Sequence, residues 1–121
     1  MTLDADISMW DPRTQEIVGK YGFETYRYDA WKSVYGCNTR DIELEYLRHV
    51  GQEVLQRSLE QGNQYSYGYD MKGAIETSRE ARRIFLLFKE LDTSQAYSRR
   101  WYVQQLLEGL DSYLSSSSNE K

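Results

Sequence analysis

Three residue types are nearly missing from this chain of 121: there is one cysteine, Cys37, one proline, Pro12, and one histidine, His49. A single thiol closes no disulfide within the chain and builds no Cys-rich zinc site. A single imidazole limits metal chemistry as well. Glu45, His49 and Glu53 fall four apart on one helical line, but carboxylate sites in bundles take Glu-x-x-His from two helices, and no second histidine is present. The row is read as a solvated polar face, and no metal is expected. A Cys37–His49 pair is also disfavoured. With a helix starting near Thr39, His49 lies about 15 Å along it, away from the end where Cys37 sits.

Long apolar runs are absent too. The longest is five residues, 84–88, far short of a membrane span. The opening MTLDADISMW is acidic and has neither the basic nor the apolar segment of a signal peptide. These features lead to the expectation of a soluble, cytoplasmic protein. Residues 68–73, GYDMKG, lack the Walker spacing and the following Ser or Thr, and neither G-x-S-x-G nor H-E-x-x-H occurs. No catalytic residue and no cofactor is expected, and the chain is read as non-enzymatic.

What the chain does have is tyrosine, eleven of them, together with eight glycines spaced as helix stops. Apolar residues recur at three and four, the period of a helix. Asp11 before Pro12 starts a first helix that Gly22 ends. A second follows, with Phe23, Tyr26, Ala30, Trp31, Val34 and Tyr35 as its apolar stripe, up to Gly36. Asn38 or Thr39 starts a third, reaching about Glu60, with Leu44, Leu47, Val50, Val54 and Leu55 facing inward beside Gly51 and Ser58. Asp70 caps a fourth, ending near Leu91. Asp92 or Thr93 introduces a fifth, running to about Leu114.

The expected fold is all-α: a single bundle of four or five helices over residues 1–114, with a disordered Ser-rich tail at 115–121. One local alternative exists. Residues 64–72, QYSYGYDMK, alternate strictly, so Tyr65, Tyr67 and Tyr69 could pair as a short strand with residues 23–28. A lone strand leaves its backbone groups unpaired, which favours an aromatic connector instead.

The last two helices carry more apolar surface than one core side can use. In the fourth, Thr77, Ala81, Ile84, Phe85, Phe88 and Leu91 face inward, while Ile75 and Leu86 project among Arg79, Arg82, Arg83 and Lys89. In the fifth, Tyr102, Val103, Leu106, Leu107, Leu110 and Leu114 face inward, while Tyr97 and Trp101 stand opposite. Either the N-terminal residues Ile7, Met9 and Trp10 fold over Tyr97 and Trp101, or another chain does.

Tyr, Trp and Arg dominate interface energetics. The expected function is therefore a non-catalytic adaptor or regulator that binds a protein partner, or a second copy as a homodimer. Its surface would comprise Ile75, Arg79, Arg82, Arg83, Leu86, Tyr97, Arg100 and Trp101. The competing reading is a nucleic-acid module, with those arginines and Arg99 on phosphates and Tyr65, Tyr67, Tyr69 or Trp101 stacking on bases. Overall charge weighs against it. The chain is −4, although residues 72–100 carry a local surplus of +3. A tyrosine-lined pocket for a planar ligand is a third alternative, resting on tyrosine count alone.

Overall fold

The computed structural model describes residues 7–94 and 97–119, with the side chains of 97, 98 and 117–119 excepted. Five helices make up the described chain: α1 (Pro12–Tyr21), α2 (Thr25–Tyr35), α3 (Thr39–Gln61), α4 (Met71–Leu91) and α5 (Tyr97–Asn119). The fold is all-α, and no strand occurs among the described residues. Caps fall where short polar side chains precede the helical periods. The Asp11 carboxylate accepts from the Arg13 N–H at 2.9 Å, Asn38 from Asp41 N–H at 3.1 Å, and Asp70 from Gly73 N–H at 3.0 Å. Gly22 and Gly36 end α1 and α2 with φ of 87° and 67°, a region that side chains with a Cβ rarely enter.

The two-stranded alternative is not what forms. Residues 25–28 are the first turn of α2, and residues 64–68 are successive turns and a bend. In the loop, Ser66 N–H donates to Asn63 O, Tyr69 N–H to Ser66 O, and Asp70 N–H to Gln61 O at 2.7 Å. Those bonds satisfy the backbone locally, so it needs no partner strand. At the other end, α5 continues past Leu114 to Asn119. Serine is only a few tenths of a kcal/mol worse than the better helix formers, and each added residue gains a backbone bond. Glu120 and Lys121 lie outside the described residues.

By contacts the chain divides into two compact units, Met1–Leu47 and Arg48–Lys121, and α3 contributes to each. The first is organised by aromatic rings. Trp10 lies 5.6 Å from Tyr46 and 5.8 Å from Phe23, and Phe23 stacks on Tyr46 at 5.6 Å, with Trp31 edge-on to Tyr46. Two α3 side chains hold the two ends of α1. The Tyr46 hydroxyl donates to Gly22 O at 2.8 Å. Glu43, 1% exposed, accepts from Asp11 N–H at 2.9 Å and the Thr14 hydroxyl at 2.6 Å, with Arg40 at 3.6 Å.

Helix α2 turns a different side inward from the one its periodicity suggests. Tyr28 is buried and Trp31 and Tyr35 are half-buried, whereas Tyr26, Ala30 and Val34 are exposed. The Tyr35 hydroxyl bonds Glu45 at 2.6 Å and Trp31 meets Tyr46, and these polar-tipped rings set the rotation.

In the second unit, α4 packs along α5, and its core holds Ala74, Ser78, Ala81, Ile84, Phe85 and Phe88. Val103, Leu107 and Leu110 are the buried side of α5. Thr77, expected inside, is only half-buried; Ser78 takes its place. A close approach is made possible by Gly51: a Cβ there would lie 2.7 Å from the buried Phe85 ring.

Candidate protein-interaction surface

Two cross-helix contacts set the register of α4 against α5. Arg82 pairs with Asp111, and Lys89 Nζ donates to Gln104 Oε1 at 2.9 Å. The helices therefore run antiparallel, and one outer strip is assembled from both. On α4, Ile75, Arg79, Arg82 and Leu86 follow one line at intervals of three and four. On α5, Trp101, Gln104, Glu108 and Asp111 do the same. Leu86 and Trp101 then stand about 9 Å apart along the strip at 1.5 Å per residue.

Both keep substantial solvent contact, Leu86 at 38% and Trp101 at 52%; Ile75 is half-buried. Trp10, expected to fold over Trp101, is buried in the aromatic cluster of the first unit. The Tyr97 side chain lies outside the described residues.

The arginines are less available than their number suggests. Arg82 is paired with Asp111 and Arg83 with Glu80. Arg79 and Arg100 are exposed. Such surface pairs are worth about 0–1 kcal/mol each, but each carboxylate offsets part of the local positive field that a polyanion would meet.

Beside Trp101 opens a concavity of about 730 Å³, with Phe88, Lys89, Asp92, Arg100, Val103 and Gln104 among its walls. Asp92 ends α4. Its Oδ1 accepts the Ser94 N–H at 3.2 Å and hydroxyl at 2.7 Å, with Arg99 at 3.6 Å. Its Oδ2 is buried without a hydrogen bond.

A second concavity escaped the reading of periodicity. A groove of about 370 Å³ runs between α3 and α5, walled by Leu55, Leu59, Leu106, Leu110 and Tyr113 and floored by Ser78. Leu55 and Leu106 were expected in the core, yet both are only half-buried. Leu59, 60% exposed, lies one residue off the buried series Val50, Val54 and Ser58. That offset is the signal the sequence carried. About one turn before Leu55 and Leu106 in their helices, the Gln52 amide donates to the Tyr102 hydroxyl. Gly62, in the groove wall, leads into the loop holding Tyr65, Tyr67 and Tyr69, all three exposed.

The remaining candidates scatter. Glu45 accepts the Tyr35 hydroxyl, His49 pairs with Glu53 at 3.3 Å, and Cys37 is exposed. Among the described residues no three His, Cys, Asp or Glu side chains are grouped closely enough to hold a metal, and no helix is long and apolar enough to cross a membrane. The chain matches no protein-family model, no curated protein and no solved structure.

Proposed function

We propose that the protein is a non-catalytic adaptor that docks a protein partner on the outer strip of α4 and α5. The observation that carries this reading is Trp101, half exposed at the mouth of a concavity with Phe88 and Val103 in its walls. An indole left half wet forfeits about 1 kcal/mol relative to burial, and a neighbouring hollow gives a partner's apolar anchor somewhere to go. Leu86 extends the apolar centre. Arg79 and Arg100, with the paired Arg82 and Arg83, form the polar rim that interfaces of this kind show.

The nucleic-acid reading would use the same arginines. It is the weaker one, since Arg82 and Arg83 are engaged by Asp111 and Glu80, and the chain is acidic overall.

A photo-crosslinking residue placed at position 101, with one at the exposed Glu53 as control, tests the proposal in cells. The expected product is a protein adduct formed from 101 only. Its partner, purified, should bind the native chain and lose at least tenfold in affinity to Trp101→Glu and Leu86→Glu, variants whose melting temperatures match wild type. Adducts to nucleic acid alone, with binding that collapses as salt rises, would transfer the function to the competing reading. Equal adducts from both positions, or binding that survives both substitutions, removes the strip as a docking face.

A further inference from the structure

The groove between α3 and α5 lies on a different side of α5 from the strip that holds Trp101, and its own features say what fits it. Leu59 stands out of the groove at 60% exposure, while Gly109, on the α5 wall, presents no side chain. A Cβ built on Gly109 would meet nothing within 4 Å. A knob and a hollow on one surface are the requirement for a contact in which two copies use the same patch, each filling the other.

Charge points the same way. At 3.6 residues per turn, the polar positions bordering the groove are Gln52 and Gln56 on α3 and Gln105, Ser112 and, further round, Glu108 on α5. Only Glu108 is charged, in a chain with 28% charged residues and a net −4. A two-fold contact sets a rim against a copy of itself, so a charged rim would face its own sign. Amides and hydroxyls both donate and accept, and can bond their own kind. An acidic partner would find no counter-charge at these positions, and a basic one only Glu108.

Area is the third consideration. A stable interface needs about 800 Å² from each partner, more than one short groove supplies. The groove runs at Gly62 into the loop with Tyr65 and Tyr67, and rings of that size cover roughly 150–250 Å² each. Their loop is already held by the bonds of Asn63, Ser66 and Asp70, so little order has to be imposed on docking. We propose that this groove, extended by the tyrosine loop, is the seat of a second copy of the chain, with Leu59 of each protomer in the Gly109 hollow of its partner.

The proposal is independent of the Trp101 strip, and sedimentation velocity on the full chain from about 1 to 100 μM separates the two, a range that brackets micromolar dissociation constants. The expected species at the upper end has twice the 14.3 kDa chain mass. Gly109→Leu is the decisive variant. It fills the hollow from a Cβ that meets nothing within 4 Å and replaces glycine by a better helix former, so the melting temperature should hold or rise while association weakens at least tenfold. Leu59→Glu should do the same, and Leu86→Glu and Trp101→Glu should leave the dimer intact. A monomer throughout the range overturns the inference. So does a dimer indifferent to both Gly109→Leu and Leu59→Glu, and so does one abolished by Trp101→Glu alone, which would assign self-association to the other face.

Discussion

Glu43 is a carboxylate 1% exposed whose partners are the Asp11 N–H and the Thr14 hydroxyl, so it anchors the first turn of α1 to α3. Replacing it by glutamine keeps the shape and removes the charge behind both bonds. The expected cost is about 1–3 kcal/mol, read from the urea midpoint, with Glu43→Ala worse because two donors are left unanswered. Asp11 makes the same turn sensitive to acid. The Arg13 guanidinium, and after it the Arg13 backbone N–H, hold its carboxyl at about 2 instead of 3.8. A value lower in the folded than in the unfolded chain stabilises the fold above about pH 4, and that contribution disappears as pH falls towards 2. Asp11→Asn keeps a cap without the titration. Between pH 4 and 2, thermal melts of wild type should therefore fall more steeply than those of the variant. Gly51 is a third single-residue control point. Gly51→Ala would drive a methyl into the buried Phe85 ring and should cost about 1–3 kcal/mol, despite alanine's better helix propensity.

At the scale of elements, the loop between α3 and α5's neighbour α4 shows how little its three rings have to do with holding the fold. Its backbone is closed by Asp70 on Gln61 and its side chains are in solvent, so Tyr65→Ala and Tyr67→Ala should change stability by no more than about 0.5 kcal/mol. Loss of self-association by such variants, at unchanged melting temperature, is the outcome expected of a contact loop. Helix α2 has the converse character. It carries Tyr26, Ala30 and Val34 outward and relies on Tyr28, Trp31 and Tyr35, whose hydroxyl and ring contacts outweigh the plain apolar count. A stripe drawn from hydropathy alone weighs Val34 above Tyr28 and so rotates the helix wrongly.

For the whole chain, α3 contributes backbone hydrogen bonds to both compact units, Met1–Leu47 and Arg48–Lys121. Breaking one unit while keeping the other would fray that helix in its middle. Urea unfolding followed by helical circular dichroism and by tryptophan fluorescence, with Trp10 and Trp31 in one unit and Trp101 in the other, should give coincident transitions. Separate midpoints would show that each unit is stable without its share of the helix.

Local chemistry was legible from residues alone: caps at Asp11, Asn38 and Asp70, stops at Gly22 and Gly36, and five helical periods between them. Each of these depends on neighbours within four positions, where a side chain bonds the backbone nearest it or a glycine takes a φ others avoid. Burial of Glu43, rotation of α2 and the open groove beside Leu59 required the packed chain. Periodicity counts apolar residues on a face, but whether a face is covered depends on which distant helix reaches it and how closely. Leu55 and Leu106 satisfy the helical period and still border solvent, because they line the open groove between α3 and α5.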